Sequence, residues 1–467
     1  MTRLLTRAAP ALLLGTAAAG GLAGAQTAPV PEAHPLGATV ATVATPFASV
    51  QAIRQLPDGR LLVNDPARRQ LLLFDAELKT STAIADSTNP AATYSGRNAG
   101  LLAYRGDSTL FVDPQSLSML VIDPKGQVGR VMAVPRAEDA MALTGIAFGG
   151  AGFDAQGRLV YRAPPRFEFR RGPGQPGPGQ PGFQMPTPPD TSPILRVELA
   201  TRKVDTVAWL KSFAPKMTPR TDADGRLVGM TSVVNPLPLV DDWAVLSDGT
   251  VIVLRGREFR ADLVGPDGKL VPGPKVAHDW QRMNDEEKVA FLDSTKAAQE
   301  KMRAEMQKRI EAAGGMEKVM ASGNAAQVLG GGPMGGGGAG VPMVSIQMGP
   351  RGGDGGEPPR RGPGGPNGPG AMQMSAPEYI PASELPDYKP PFAMGAARAD
   401  ADGNVWVRLI ATKPMPGPVY DVIDHTGKLV DRVVLPAGSA IAGFGPGVVY
   451  LATRDEAGTH LKKVKVK

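Results

Sequence analysis

The sequence predicts an all-β fold: a six-bladed β-propeller closed by an N-terminal strand, with a partly helical, partly disordered insertion. Three observations predict it. First, a turn ending in Gly and followed by a short apolar strand recurs along the chain. It reads Pro57-Asp58-Gly59-Arg60-Leu61-Leu62-Val63, Gln156-Gly157-Arg158-Leu159-Val160-Tyr161, Ser247-Asp248-Gly249-Thr250-Val251-Ile252-Val253 and Ala401-Asp402-Gly403-Asn404-Val405-Trp406-Val407, with weaker copies at Asp107–Val112 and Pro446–Leu451. Second, each copy lies in a unit of about 40–45 residues with room for four antiparallel strands, the size of one propeller blade. Third, the last unit stops after three strands, while a spare strand-like run, Ala38 to Thr45, precedes the first. Pairing those two ends closes the ring and removes its exposed edges.

The first blade is the clearest. Val50–Leu56 is a strand, Pro57-Asp58-Gly59 a hairpin turn, Arg60–Val63 a second strand, and Asp65–Arg69 a loop. Gln70–Phe74 is the third strand and Thr82–Ala85 begins the fourth; β-enriched runs bounded by turn chemistry carry these assignments. The second unit runs from Ala99 to Pro135, with a later turn at Asp123-Pro124-Lys125-Gly126. The third starts near Leu143 and resumes at Ile194–Leu199 after a Pro/Gly-rich insertion, residues 163–192. The fourth spans Leu239–Val276, with turns at Asp248-Gly249 and Asp267-Gly268. The fifth spans Phe392–Leu435, with turns at Asp402-Gly403 and Thr426-Gly427, and the sixth begins at Ser439.

A second insertion covers residues 284–375. Its spacing predicts a helix over about 285–312: Asn284 is the N-cap, Glu287 its capping-box partner, and Gly314-Gly315 ends the run. Val289, Leu292, Met302, Met306 and Ile310 recur at roughly helical spacing and supply an apolar face. From about Gly330 to Gly370 the composition is Gly, Pro and Arg, and disorder is expected there and in 163–192. If the Asp-Gly turns occupy one rim of the ring, both insertions project from the other, where the central channel opens.

Residues 1–25 read as a signal peptide: Arg3 and Arg7, an apolar run from Ala11 to Ala23, then Ala23-Gly24-Ala25 as small residues for cleavage. Residues 26–467 are expected to be exported to the periplasm or the extracellular medium. No later segment has the length of a membrane span, so no transmembrane segment is expected. The absence of cysteine excludes disulfides and a Cys-linked lipid anchor. The net charge of +6 and pI near 9.4 come with no zinc spacing, aromatic-interleaved basic strand or recognition helix, which argues against a nucleic-acid partner.

Candidate site residues come from the repeat register. Five positions after Gly59, Ser108, Gly157 and Gly403 stand Asn64, Asp113, Arg162 and Arg408, where the apolar run has just ended. Arg255 is displaced from this register by one, and Arg68, Arg257 and Arg454 lie in nearby loops. Together they predict a positive rim suited to a carboxylate, sulfate or phosphate. The alternative is that these are solvated strand ends pairing locally with Asp65, Glu258 or Asp455. Asp222-Ala223-Asp224-Gly225 and Asp400-Ala401-Asp402-Gly403 resemble the start of a calcium loop but lack its later ligands, and read as turns. His34, His278, His425 and His460 are scattered and read as exposed structural residues. No Gly-x-Ser-x-Gly elbow or phosphate-binding loop appears. The resulting expectation is an exported, non-enzymatic binding or protein-interaction module without a cofactor. Its partner would be an unidentified anion, acidic protein or glycan.

The Asp-Gly phrase, followed by segments such as Leu120-Val121-Ile122-Asp123-Pro124-Lys125-Gly126 and Val419 to Gly427, resembles bacterial six-bladed propellers of the NHL-repeat type. The resemblance covers most of residues 26–467 outside the insertions and implies the fold rather than an activity. Within that superfamily, gluconolactonase-like members are metal-dependent hydrolases with acidic and amide ligands deep in the channel. This implies an alternative function: a lactonase-like hydrolase or lyase using Ca or Zn, with Asn64 and Asp113 as part of its ligand set. No Glu partner is found, and Arg162 and Arg408 at matching positions would repel a divalent cation.

Overall fold

The computed structural model describes residues 29–89, 92–145, 149–165, 189–214, 216–221, 227–265, 267–315, 318 and 378–467. The signal-peptide reading, the Gly/Pro tract of 330–370, most of the 163–192 insertion and the Asp222–Gly225 turn lie outside these residues.

Six four-stranded antiparallel sheets form the ring. From channel to rim, blade one is Ala52–Gln55, Leu61–Asp65, Gln70–Phe74 and Ser81–Asp86. Blade two is Gly100–Ala103, Thr109–Asp113, Ser118–Ile122 and Val128–Ala133, and blade three is Gly152–Phe153, Leu159–Arg162, Thr191–Val197 and Val204–Lys211. Blade four is Asp242–Val245, Val251–Arg255, Arg260–Val264 and Leu270–Val271, and blade five is Ala397–Ala399, Val405–Arg408, Val419–Ile423 and Leu429–Val434. Blade six takes Ser439–Gly445, Val448–Asp455 and Gly458–Lys465 from the C-terminus and its outer strand, Thr39–Thr42, from the N-terminus. The ring therefore closes as the three-stranded last unit predicts. His34–Pro35 adds a short parallel contact to the outer strand of blade five, so the N-terminal segment clasps two blades.

Each blade is covered on both faces by its neighbours. That is why the second strands are buried throughout rather than alternating: Leu61, Leu62 and Val63 are all inaccessible. Successive side chains feed opposite seams. Leu62 packs with Tyr94 and Phe111 of the blade-two side, while Leu61 and Val63 pack with Tyr450 and Leu461 of blade six. The seams are close enough to dictate turn residues. Gly249 has φ of +86°, and a Cβ there would lie 2.2 Å from the Ala155 backbone nitrogen in blade three.

All described insertions leave from the rim opposite the Asp-Gly turns. The helix Asp285–Ala312 begins with a complete capping box: the Glu287 amide donates to the Asn284 side chain and the Asn284 amide to the Glu287 carboxylate, both at 2.8 Å. Its docking differs from the predicted apolar face. Leu292 and Phe291 pack with Leu237, Met283, Ile380 and Leu385, but Val289 and Met302 are exposed. Among the described residues the packed contacts lie in about the first half of the helix, ending at Gln299, whose side-chain oxygen accepts from the Tyr379 hydroxyl. Lys288, buried on that side, donates to Asp387 at 2.6 Å. A hairpin unforeseen in the sequence, Lys216–Thr221 with Leu227–Val234, joins this cap, and Glu378–Tyr379 pairs in parallel with its second strand. No helix among the described residues is long and apolar enough to cross a membrane.

Candidate functional site

The predicted site residues fall, one per blade, at the ends of second strands near the insertion-bearing face. Asn64 is buried; its amide donates to the Ala99 carbonyl at 2.7 Å and accepts from the Tyr94 hydroxyl at 2.7 Å. Asp113 is also buried and accepts from the amides of Ser95, Gly96 and Gln115. Asp65 does the same for the connection before blade one, accepting from Ala48 and Ser49. Asp113 and Asp65 are equivalent positions. In blade two the left-handed turn residue matching Gly59 is Asp107, not Ser108, so the residue matching Asn64 is Val112. These acids clamp the blade-to-blade connections.

Arg162 and Arg255 converge on the seam between blades three and four. Arg255 donates to Asp262 at 3.0 Å, to Asp241 at 2.8 Å and to the Trp209 carbonyl at 3.0 Å. These carboxylates hold its guanidinium above the usual range despite burial. Asp241 also accepts from the amides of Lys211 and Gly256, and Arg260 shares Asp262. Arg162 is fully buried. Its Nε donates to the Ser192 hydroxyl at 2.7 Å and an Nη to the Ser212 hydroxyl at 3.2 Å. Its Nη1 is buried without a hydrogen-bond partner. Burial lowers its pKa, opposed by the charges of Asp242 and Asp241. Arg408 lies in the seam between blades five and six. Burial lowers its pKa, the Tyr420 phenolate would raise it, and the Arg398 charge lowers it further. Arg454 ends the second strand of blade six, and Arg68 lies 3.6 Å from Asp65.

Sequence reasoning missed Asp242, the first residue of blade four's inner strand. It is wholly buried; Oδ2 accepts from the Ala397 amide of blade five at 2.8 Å, the Trp243 and Gly395 amides also act on the carboxylate, and Oδ1 has no hydrogen-bond partner among the described residues. Burial pushes its pKa up to about 6, against the opposing pull of the Ala397 amide and the Arg162 charge. A signal existed. Counting seven residues back from Gly59, Asp107, Gly157, Gly249 and Gly403 gives Ala52, Gly100, Gly150, Asp242 and Ala396, so a carboxylate replaces a small residue in one blade.

The Asp242 carboxyl and the Arg162 guanidinium act on each other through their charges, without a direct ion pair. Arg54, on blade one's inner strand, has a buried Nε without a partner, and burial lowers its pKa. The metal implied by the lactonase resemblance finds no ligand set. Asn64 and Asp113 spend their polar atoms on the backbone and Tyr94. Among the described residues no group of three His, Cys, Asp or Glu side chains could hold an ion. Nor are the histidines all exposed: His278 is largely buried against Phe259 and Trp280, and burial lowers its pKa to about 4.

No family model matches the chain, and no curated protein matches it. Solved propellers do. A gluconolactonase from Xanthomonas campestris is 10% identical with a TM-score of 0.35, covering 94% of this chain and 98% of its own. The PQQ-bound aldose sugar dehydrogenase of Streptomyces coelicolor is 14% identical at a TM-score of 0.36, covering 94% of this chain and 100% of its own. A catalytically inactive virginiamycin B lyase from Staphylococcus aureus is 8% identical at 0.34, covering 91% and 97%. At these scores the likeness transfers no activity. The non-enzymatic, anion-binding module expected from the sequence is nonetheless corrected. Arg255, one of the arginines that suggested it, is spent inside the seam on Asp241, Asp262 and the Trp209 carbonyl.

Proposed function

We propose that the chain is a hydrolase or lyase with its reaction centre at the channel, where Asp242 moves the proton and Arg162 stabilises negative charge on the substrate. The observation behind this reading is that two buried polar atoms of opposite character, Asp242 Oδ1 and Arg162 Nη1, have no hydrogen-bond partner among the described residues, on groups whose charges act on each other. In a lactone or ester hydrolysis, ionised Asp242 takes a proton from water as its oxygen bonds to the carbonyl carbon. Arg162 Nη1 donates to the developing oxyanion, and the proton passes to the leaving alkoxide as the C–O bond breaks. In an elimination the same carboxylate takes a carbon-bound proton, the C–H electron pair becomes a C=C bond as the C–O bond on the neighbouring carbon breaks, and the proton passes to the leaving oxygen. No metal step is included, because the donor sets do not fit one. The signal pattern of residues 1–25 supports export to the periplasm or beyond, which N-terminal sequencing of the secreted protein would test.

The test is a pH-indicator screen of aldonolactones, aryl esters and uronates with the parent, with Asp242→Asn, and with chelator added. The expected result is turnover that rises through pH ~6, survives chelation and falls by about a hundredfold or more in the variant. Turnover retained in a folded Asp242→Asn protein, or abolished by chelator, overturns the assignment.

A further inference from the structure

A row of aromatic rings runs outward through the seam between blades four and five. Phe392 meets Phe259 at 5.5 Å between centroids, Phe259 meets His278 at 5.4 Å, His278 meets Trp280 at 5.1 Å, and Trp280 meets Tyr388 at 6.4 Å. The inner rings are core. The outer two are not: Trp280 is 39% exposed and Tyr388 48% exposed, on adjacent segments joined by a backbone bridge and the Lys389 amide to Gln281 carbonyl bond of 3.0 Å. The two rings stand nearly perpendicular, at 89°. Within the same four residues, three buried polar atoms have no hydrogen-bond partner: both ring nitrogens of His278 and Oε1 of Gln281. Leaving such atoms unpaired costs the folded chain their hydration. Arg432, whose charge acts on His278, is bound to Asp421 at 2.6 Å and lies 3.9 Å from Asp279.

We propose that Trp280, Tyr388, His278 and Gln281 form a second binding site, separate from the channel, for a neutral polyhydroxylated ring such as a hexose unit of a glycan. An indole and a phenol with exposed faces offer the C–H-bearing side of a sugar an apolar, polarisable surface. A neutral imidazole brings one donor and one acceptor, and the Gln281 carbonyl a further acceptor. Hydroxyl groups, which donate and accept, satisfy that set; an anion satisfies only the donor and a flat hydrocarbon none of it. The imidazole is neutral at physiological pH, because burial and the Arg432 charge lower its pKa. The site does not rest on the reading of Asp242.

Isothermal titration of the full chain at pH 7 with cellobiose, maltose and N,N′-diacetylchitobiose tests it, with glucuronate and indole as controls. The expected result is binding of at least one neutral disaccharide. It should weaken about tenfold or more in Trp280→Ala and in His278→Phe, the latter keeping the ring and removing both nitrogens. Thermal melts of both variants establish that they are folded, and Asp242→Asn should bind the sugar as the parent does. Undiminished binding in folded His278→Phe, preference for indole or glucuronate, or no saturable binding of any disaccharide would each overturn the proposal.

Discussion

Replacing Asp242 by Asn should change how stability depends on pH, and the sign follows from burial. Burial raises the Asp242 carboxyl from the ordinary 3.8 to about 6. Below pH ~4 the group is protonated in both the folded and the unfolded chain. As pH rises, the unfolded chain releases its proton first while the folded chain keeps it, so stability falls until the folded carboxyl ionises near 6 and is level above that. At about 1.36 kcal/mol for each pH unit between the two midpoints, the loss is about 3 kcal/mol. Asparagine keeps an acceptor for the Ala397 amide and does not titrate. The difference in stability between parent and variant should therefore move by about 3 kcal/mol in the variant's favour from pH 4 to pH 7. With an unfolding entropy of about 2.1 cal/mol/K per residue, that is roughly 4 °C in Tm for a ring of several hundred residues. Taking the difference cancels the many turn carboxylates with lowered pKa, such as Asp58 and Asp424, whose contributions run oppositely at lower pH. Arg162→Met should move the window upward, because the Arg162 charge holds the Asp242 carboxyl down. Melts of the three proteins at half-unit steps from pH 4 to 8 make the comparison. A parent-to-variant difference independent of pH would show that Asp242 is ionised throughout and refute the proton-transfer role.

Other perturbations address the frame around this pair. Deleting residues 36–46 removes the outer strand of blade six and its bonds from Gly37 to Lys465 and from Val43 to Leu461; soluble yield should fall and light scattering rise. A truncated chain as soluble and as thermally stable as the parent would exclude closure by that strand. Gly249→Ala should lower stability by more than about 1 kcal/mol in denaturant titration, since the residue has φ of +86° and no room toward Ala155. Asn284→Ala should cost about 1 kcal/mol of local helix stability, read as faster amide exchange at Glu287 with no change in the ring's melting temperature.

The frame was legible because its rules are local. Asp-Gly turns, strand-length apolar runs and a missing final strand each follow from chain geometry, and the ring is the arrangement that satisfies all of them. The helix start was legible for the same reason, since Asn284 and Glu287 contact only each other. Its docked face was not. Which of Val289, Leu292 and Met302 is buried depends on Ile380 and Leu385, about ninety residues away and beyond the Gly/Pro tract. The blade-two register slipped because Asp107 takes the left-handed conformation that Gly takes elsewhere. That slip made Asp113 look like a neighbour of Asn64 in function, when it repeats the clamp made by Asp65.

The arginine register shows why position in a repeat is weak evidence of purpose. Asn64, Arg162 and Arg408 are equivalent by strand and turn, yet Asn64 ties Tyr94 to Ala99, Arg162 reaches across its own blade to Ser192 and Ser212, and Arg408 sits under the charge of Arg398. A strand end tolerates any polar group that finds a partner, so variety there carries little information. The inner-strand position is different. At Gly100 a Cβ would lie 2.6 Å from the Thr144 backbone, whereas at Gly150 there is open space, so the small residues here have no single cause. A carboxylate at Asp242 must be accommodated by the Ala397 amide and still leaves one oxygen unpartnered in a buried seam. A buried carboxylate with an unpartnered oxygen is costlier than a polar residue at a strand end where polar residues are cheap, which is why the proposed chemistry rests on Asp242 rather than on the arginine rim.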